Sequence, residues 1–380
     1  MSREVLIVEA AALDAFAAEA FRRAGVDEAD AAYCARCLVE ADLRGVESHG
    51  ILRLPIYVRR LRDGAVNARP RPKTVSGAGA LEIMDGDAGI GYVVARAAML
   101  RAVELAGEHG IAAVGVTNSS HFGPAGIYAR LAVEHDMIGV AMSNVVAKVV
   151  APGGSRPITG NNPLAVAVPS FGEFPFALDM SLSAATGGKL LLAAKKGETI
   201  PLDWATDAEG RPTDDPTVAF EGFYQPLGGM KGLGLSFVVD ILCGLVTGGP
   251  FGRQLESMYS SEAPTRTGHM MIAIDVLRIV PRELMKERMA AFFADIKASP
   301  MRDPSAEMRV PGERAYRTEL QRRADGIPLP PGVLDELAEL GRELGLTATL
   351  APQACPARAS RGEAGTAGGS AEAGPAGGPG

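Results

Sequence analysis

Residues 111–126 have the sequence IAAVGVTNSSHFGPAG, and this stretch decides the class of fold. The β-branched run at residues 112–116 predicts a strand. Gly123 and Pro124 then introduce a helix predicted at residues 126–135, because these two residues interrupt a strand and commonly precede a helix. A strand that leads through a short polar turn into a helix is typical of an α/β protein.

The same alternation continues on both sides of this stretch. Apolar periodicity predicts strands at residues 81–84, 138–142, 164–168 and 271–274 and a helix at residues 93–107. We therefore expect an α/β domain over residues 74–281. Pro70 and Pro72 interrupt regular structure within residues 64–73 and place a domain boundary there.

Helical patterns flank this domain. Residues 1–73 predict an N-terminal helical segment, with a short strand at residues 5–8 and helical apolar spacing through residues 11–43. Residues 282–350 predict a C-terminal helical segment that packs back on the N-terminal part, with helices at residues 283–297 and 335–344. Residues 351–380 are mostly Ala, Gly, Pro, Ser and charged residues, which predicts a disordered tail because too little apolar surface is available to offset chain entropy.

The composition restricts the class of protein. A chain of 380 residues with 47% hydrophobic and 22% charged residues is typical of a soluble globular protein of roughly two domains. The net charge of −7, with scattered Lys and Arg, argues against nucleic acid as a partner. The apolar stretch at residues 233–246 is too short to span a bilayer and predicts a buried core helix instead.

The N-terminus and the cysteines indicate the compartment. No signal-peptide pattern is present at residues 1–9, so we expect a cytoplasmic protein without a membrane partner. Cys34 and Cys37 lie in a helical pattern that lacks the context of a redox motif, and no Cys or His pair has zinc spacing. We expect no metal site.

One candidate catalytic histidine lies in the sequence ESHGILR, residues 47–53. Ser48 could hydrogen-bond the imidazole of His49, and Arg53 could bind a carboxylate through two parallel N–H bonds. Tyr57 follows four residues later. Gly50 and Pro55 argue against a regular helix here, so the alternative interpretation is a solvated polar turn between helices.

A second candidate is His121, which follows the strand at residues 112–116. The start of a helix after a strand is a common site for an anionic ligand in α/β proteins, although Ser and Asn at this position also fit a helix cap. By contrast, His109 and His135 lie near predicted helix ends, where the expected role is capping.

Glycine-rich turns could hold a phosphate. They occur at residues 153–154, 187–188 and 228–234, and the last turn leads into a predicted helix whose N-terminus could receive the anion. The dinucleotide fingerprint G-x-G-x-x-G is absent, so a Rossmann fold has no support from motifs. The residues alone thus predict an α/β enzyme with an anionic ligand.

Seven short phrases in one order add a resemblance to a known family. They are Ser48-His49-Gly50, Asn118-Ser119-Ser120-His121-Phe122-Gly123, Gly160-Asn161-Asn162-Pro163-Leu164, Asp179-Met180-Ser181, Gly187-Gly188-Lys189, Gly228-Gly229-Met230-Lys231-Gly232 and Pro311-Gly312-Glu313. Together they resemble the type 2 malate/L-lactate dehydrogenase family, over residues 6 to 346. This family is unrelated to the Rossmann-fold lactate and malate dehydrogenases.

The resemblance implies an architecture and an activity. The expected fold is α/β, with a non-Rossmann NAD(P)-binding domain on a largely antiparallel sheet and a helical domain formed by the N- and C-terminal segments. The expected protein is a homodimer or a larger oligomer with its active site between these domains. The expected reaction is hydride transfer between nicotinamide, from NAD or NADP, and C2 of a small 2-hydroxy or 2-oxo acid of the malate, lactate or sulfolactate type.

The resemblance also implies roles for individual residues. His49 or His121 would be the acid/base with Ser48 beside it, Arg53 would hold the carboxylate, and Tyr57 would line the pocket. The cofactor would be surrounded by His121, Phe122, Gly123, Pro124, Ala125, Asn161, Asp179, Met180, Ser181, Lys189, Gly228, Gly229, Lys231, Arg309, Pro311, Gly312, Glu313 and Arg314. Two positions depart from the family pattern: Asn161 stands where threonine is common, and Met230 where an aromatic residue is common.

Other activities remain open at this point. A reductase of cyclic imino acids such as piperideine-2-carboxylate belongs to the same family. The resemblance implies an aspartate in that branch at the position of Lys189, whereas lysine matches the hydroxy-acid branch. Ureidoglycolate oxidation and reduction of a sugar-derived oxo acid are further alternatives. An inactive scaffold is the remote alternative, against which the intact Ser48, His49, Arg53 and His121 argue.

Overall fold

Three sheets and eleven α-helices form over residues 6–303, 305–351 and 353–354, which are those that the computed structural model describes. The strands are β1 (Leu6–Val8), β2 (Lys73–Ala78), β3 (Leu81–Asp85), β4 (Ile111–Ser119), β5 (Ile138–Ser143), β6 (Val149–Val150), β7 (Pro157–Thr159), β8 (Leu164–Val168), β9 (Phe176–Met180), β10 (Ala205–Thr206), β11 (Phe223–Tyr224), β12 (Thr267–Ile274), β13 (Ile327–Leu329) and β14 (Gln353–Ala354). The helices are α1 (Ala10–Arg23), α2 (Glu28–Leu43), α3 (Leu54–Arg62), α4 (Gly91–His109), α5 (Gly126–Val133), α6 (Gly187–Lys196), α7 (Pro216–Glu221), α8 (Met230–Asp240), α9 (Arg282–Ala298), α10 (Glu313–Asp325) and α11 (Pro331–Leu344).

The largest sheet has seven strands in the order β2-β3-β4-β12-β5-β8-β9. The pairing of β3 with β4 is parallel and the other pairings in this sheet are antiparallel. Helices α4 and α5 pack against the sheet and bury apolar side chains such as Val114 and Met271. The five strands predicted from apolar periodicity all lie in this sheet, which confirms the mixed α/β class.

The N-terminal helices form a second part of the core. Helices α1 and α2 pack together through buried side chains that include Leu13, Phe16 and Leu38. The segment C-terminal to the large sheet returns to them: α10 packs against α2, α11 against α1 and α3, and β13 pairs with β1. Helix α9 does not follow this pattern, because none of its residues is buried.

The last described residues depart from the expectation of a disordered tail beginning at residue 351. Gln353–Ala354 form β14, which pairs with β1 on the side opposite to β13. Residues 355–380 of the predicted tail and residues 1–5 lie outside the described residues.

The prediction of a buried core helix at residues 233–246 is correct for one face only, which includes Leu233, Val239 and Cys243. Helix α8 continues directly into a π-helical turn at Ile241–Leu245, and several of its apolar side chains face outward. Leu235, Val238, Ile241 and Leu245 are 46%, 47%, 47% and 52% exposed. A helix that is apolar on all sides is expected to be buried. The outer face of α8 is instead an apolar surface that is exposed within the described chain. No described helix combines the length and the apolar character needed to cross a membrane.

A four-stranded sheet in the order β10-β11-β6-β7 lies beside α6 and α7. Its small core contains Leu190, Ala219 and Tyr224. This arrangement brings the first turn of α6 close to the segment at residues 47–49. The contact is tight, because a Cβ atom on Gly188 would lie 2.6 Å from Cβ of Ser48.

Candidate active site

The turn between α2 and α3 carries His49 and Arg53. It consists of two 3₁₀ turns, Glu47–His49 and Ile51–Arg53, joined at Gly50. This confirms the prediction that the stretch does not form a regular helix. Oδ2 of Asp42 accepts a hydrogen bond of 2.7 Å from the backbone N–H of Ile51. A Cβ atom on Gly50 would lie 1.9 Å from Oδ1 of Asp42, so glycine is required for this close approach. Burial raises the pKa of Asp42 to about 8.

Arg53 lies at the start of α3 and is 7% exposed. Its Nε donates to the carbonyl oxygen of Ser48 at 2.8 Å, and its Nη1 donates to the hydroxyl oxygen of Tyr259 at 2.7 Å. Within the described residues Arg53 forms no salt bridge with a carboxylate, and its Nη2 has no hydrogen-bond partner. A buried guanidinium with a free N–H donor suits an anionic ligand.

The structure brings His49 and His121 together. Their rings stack with centroids 5.6 Å apart and an angle of 15° between the planes. Nδ1 of His49 lies 2.9 Å from Oγ of Ser48, and Nδ1 of His121 lies 2.6 Å from the hydroxyl of Tyr57. In each imidazole Nδ1 is therefore paired with a hydroxyl group, whereas Nε2 has no hydrogen-bond partner among the described residues.

The surroundings of both histidines favour the neutral imidazole. Burial and the neighbouring charge of Arg53 lower the pKa of His49 to about 3. Burial lowers the pKa of His121 well below its ordinary value, and the positive charges of protonated His49 and of Arg53 act in the same direction. Both rings are consequently proton acceptors at neutral pH.

His269 is a fully buried histidine that sequence reasoning missed. It is fully buried in β12, with Nδ1 2.9 Å from Oγ of Ser143 and Nε2 2.9 Å from Oγ of Ser119. Its ring stacks on Phe122 with a centroid distance of 4.6 Å. The available signal was one imidazole in an otherwise apolar strand, which on its own does not distinguish a structural role from a catalytic one.

Arg60 and Tyr259 were also missed. Arg60 is 2% exposed, and its guanidinium donates to backbone carbonyls of the segment that carries Tyr259. No local motif marks either residue, because Tyr259 meets Arg53, and Arg60 meets the segment that carries Tyr259, only through contacts between distant parts of the chain.

Several of the predicted cofactor residues are joined by hydrogen bonds along one strip. Oδ2 of Asp179 accepts from the backbone N–H of Gly126, at the start of the helix that follows the His121 loop, at 2.9 Å. Nδ2 of Asn161 lies 3.3 Å from Oγ of Ser181, and the backbone oxygen of Asn161 accepts from the N–H of Leu182 at 2.8 Å. The end of β9 therefore connects the His121 loop with Asn161.

The strip continues to the turn at Gly228 and Gly229. The N–H of Leu227 donates to the carbonyl oxygen of Leu182 at 2.9 Å and brings this turn alongside. Both glycines have positive φ, +59° and +68°, and a Cβ atom on either would meet no other atom within 4 Å. Exposed Lys231 follows in the first turn of α8.

The segment at residues 309–314 reaches β9 from its other side. The N–H of Ala177 donates to the carbonyl oxygen of Pro311 at 3.0 Å, which places Gly312 against the strand. The carboxylate of Glu313 is buried and forms salt bridges of 2.8 Å with Lys297 and 2.5 Å with Arg317. Glu313 therefore fixes the segment from inside.

The remaining predicted cofactor residues differ in what they expose. Phe122, Gly123, Pro124 and Ala125 are buried, whereas Arg309, Arg314 and Lys189 are exposed and Met180 is partly exposed. The ammonium group of Lys189 lies 5.6 Å from the centre of the Trp204 ring.

These observations fit a nicotinamide dinucleotide. Open glycine backbone with positive φ and a helix N-terminus can accept phosphate oxygens, and Lys231, Arg309 and Arg314 supply exposed positive charge. No cluster of metal-binding side chains occurs in the part of the chain that the structure describes.

Comparison with known proteins identifies the family. A profile of the malate/L-lactate dehydrogenase family matches residues 8–338. The chain is 38% identical over 342 residues to malate dehydrogenase of Pyrococcus abyssi, covering 88% of this chain and 94% of that protein. It is 39% identical over 306 residues to L-sulfolactate dehydrogenase of Methanothermobacter thermautotrophicus, covering 80% and 88%.

Comparison of three-dimensional structures supports the same family. The crystal structure of malate dehydrogenase from Entamoeba histolytica aligns with a TM-score of 0.86 at 29% identity, covering 90% of this chain and 99% of that one. The chain therefore belongs to the malate/L-lactate dehydrogenase family and is an oxidoreductase.

Proposed function

We propose that the protein is an NAD(P)-dependent 2-hydroxyacid dehydrogenase acting on an acid of the malate, lactate or sulfolactate type. The observation that carries this proposal is the convergence of a buried arginine that has no carboxylate partner among the described residues with two stacked, neutral histidines. Such a site can hold a carboxylate and accept a proton from the adjacent hydroxyl group.

Arg53 binds the substrate carboxylate in this proposal. The hydrogen bond from its Nε to Ser48 holds the guanidinium beside His49, so the carboxylate and the C2 oxygen of one small acid reach Arg53 and the histidines together. When bound, the nicotinamide accepts the hydride from C2 or returns it.

His121 exchanges the proton with the C2 oxygen, and His49 with Ser48 lies beside it. The position of His121 supports this assignment, because its ring stacks on His49 while its chain continues into the loop that leads to Gly126 and Asp179. The hydroxyl of Tyr57 holds Nδ1 and leaves Nε2 to face the substrate. In oxidation the neutral ring accepts the hydroxyl proton, and in reduction the imidazolium returns it.

The cofactor would lie along the strip formed by Asn161, Asp179 to Ser181 and Gly228 to Lys231, with residues 309–314 at its other side. The exposed positive side chains suit the phosphates of NAD or NADP equally. We also propose that the seven-stranded, mainly antiparallel sheet is the cofactor-binding layer, that this non-Rossmann domain spans residues 74–281, and that residues 1–73 and 282–350 form the helical domain beside it.

We further propose that the protein is a homodimer or a larger homo-oligomer. The exposed face of α8, with Leu235, Val238 and Ile241, supports this assembly, since an apolar face of this kind is usually covered. A shallow groove between the β2–β3 hairpin and Val246 extends the same surface.

The cytoplasm is the compartment that we propose, because Cys34, Cys37 and Cys243 are buried and free.

The experiment that tests the proposal is oxidation of NADH and of NADPH, followed at 340 nm, with the purified protein and a panel of oxo acids. Oxaloacetate, pyruvate and sulfopyruvate cover the expected substrates, and piperideine-2-carboxylate covers the imino-acid alternative. Reduction of an oxo acid is the expected result. Turnover of the imine alone would refute the interpretation of Lys189, and oxidation of ureidoglycolate in the reverse assay would identify the other alternative.

His121→Asn and His49→Asn then separate the two histidines. Loss of the acid/base should reduce kcat by about 100-fold or more. Near-normal turnover in His121→Asn together with a large loss in His49→Asn would move the role to His49.

A further inference from the structure

Residues 257–263, which we call the Tyr259 loop, lie beside Arg53. The loop is held from below by Arg60, whose guanidinium donates to the carbonyl oxygens of Ser257 at 3.3 Å, Met258 at 3.5 Å and Ala263 at 3.1 Å, and also to that of Ser260. A fully buried charge that is satisfied by several carbonyl groups fixes the backbone around it. The loop is thus a fixed wall of the site.

Tyr259 is the side chain that this wall presents to the site. Its hydroxyl oxygen accepts from Nη1 of Arg53 at 2.7 Å, and the guanidinium carbon of Arg53 lies 5.3 Å from the centre of its ring. The ring also forms a T-shaped pair with that of Phe220, with a centroid distance of 6.5 Å. Tyr259 is nevertheless 51% exposed, and no described residue accepts a hydrogen bond from its own O–H.

The hydrogen bonds of Arg53 determine what it can offer a carboxylate. Guanidinium groups bind carboxylates best through two parallel N–H donors on one edge. On the edge formed by Nε and Nη2, the N–H of Nε already donates to Ser48. At the end formed by Nη1 and Nη2, one N–H of Nη1 already donates to Tyr259. The donors of this pair that have no partner among the described residues are both N–H bonds of Nη2, the second N–H of Nη1 and the O–H of Tyr259.

We propose that Tyr259 binds the substrate carboxylate together with Arg53. One carboxylate oxygen accepts from Nη2 of Arg53 and the other accepts from the O–H of Tyr259, whose oxygen continues to accept from Nη1. Arg60 positions this phenol through the loop. The inference rests on the proposed function, since it names a second residue that recognises the same carboxylate.

The test is the substitution Tyr259→Phe, which removes the O–H donor and retains the ring over Arg53. A hydrogen bond to a charged group contributes enough that KM for the oxo acid should rise about tenfold or more, with kcat changed by less than about twofold. The dissociation constant of oxamate, an unreactive oxo-acid analogue, should rise by the same factor in calorimetric titrations with NADH or NADPH present.

Tyr33→Phe is the matched control. It removes a phenol hydroxyl from α2, where Tyr33 contacts Arg36 and Arg96 instead of the proposed site, and it should leave KM and oxamate binding unchanged. Both variants should unfold at the temperature of the wild-type protein.

The outcomes separate this inference from the proposed function. An active wild-type protein with unchanged KM and oxamate affinity in Tyr259→Phe would overturn the role of Tyr259 and leave the dehydrogenase activity intact. A loss confined to kcat, or a large decrease in unfolding temperature, would make the phenol a structural group and would also overturn it. A wild-type protein that neither reduces an oxo acid nor binds oxamate would overturn both.

Discussion

Oxidation of a 2-hydroxy acid by this protein should retain its rate when the pH is lowered to about 5. The reason is the depressed basicity of the two stacked histidines: the pKa of His49 is lowered to about 3, and that of His121 lies well below its ordinary value. The group that accepts the hydroxyl proton is then already neutral, and so already competent, throughout the range of the assay.

The expected magnitudes follow from the fraction of neutral imidazole in the free enzyme, which kcat/KM reports. A histidine with an ordinary pKa of about 6.5 would be neutral in only about 3% of molecules at pH 5, so kcat/KM for oxidation would fall about 30-fold from its plateau. Because burial holds the pKa of His121 well below its ordinary value, the imidazole should remain mostly neutral at pH 5, and the same parameter should stay close to its plateau.

The reverse reaction must then carry the pH dependence. Oxidation releases one proton, so the ratio of kcat/KM in the two directions changes about tenfold per pH unit. Since the oxidation rate is flat, kcat/KM for reduction should fall about tenfold per unit and about 100-fold between pH 6.5 and 8.5. Protonated imidazole is the scarce species in that direction.

Both directions can be measured by absorbance at 340 nm with one substrate pair. Samples kept at pH 5 and returned to pH 7.5 should recover full activity, which controls for unfolding. A 30-fold decrease in oxidation at pH 5 with full recovery would refute the argument that burial keeps the catalytic imidazole neutral.

Three further outcomes are expected. Gly50→Ala should lower kcat/KM by about tenfold or more, because the new Cβ atom would lie 1.9 Å from Oδ1 of Asp42 and displace the turn. Gly332→Ala is the control and should be active, because a Cβ atom there would meet no atom within 4 Å. Arg53→Lys should raise KM by about tenfold or more with a smaller effect on kcat, because an ammonium group cannot replace the planar guanidinium; an unchanged KM in steady-state assays would contradict this. The free energy of unfolding should decrease as pH falls below about 6.5, because fully buried His269, with its pKa lowered to about 3, stays neutral in the folded protein while the unfolded chain binds a proton. Urea titrations should show a loss of about 2 kcal/mol from this group by pH 5. Equal stability at pH 7 and pH 5 would argue against this role of His269.

Local patterns were sufficient for the elements that bury one face or one stripe. The strands around residues 112–116 and 271–274 and the helix at residues 93–107 were predictable, because apolar spacing reports which side of an element is covered. The same rule failed for the outer face of residues 233–246. Periodicity records that Leu235 and Ile241 are apolar, but it does not record whether this chain alone covers them.

The candidate residues divide in the same way. Ser48, His49, Arg53 and His121 stood out because their chemistry is concentrated in short phrases of the sequence. His269, Tyr259 and Arg60 did not, since each acquires its meaning from contacts with residues far away in the chain. Tyr259 reaches Arg53 across 206 positions, and His269 reaches Ser119 across 150.

The sequence by itself determined the α/β class, the family resemblance and the residue types able to bind a carboxylate and move a proton, because these depend on side-chain chemistry and on local spacing. Only the tertiary structure decided that His49 and His121 stack, that their pKa values fall, and that the phenol of Tyr259 lies against Arg53. Desolvation and hydrogen-bond geometry depend on what surrounds a group in space, and a linear pattern does not contain that information.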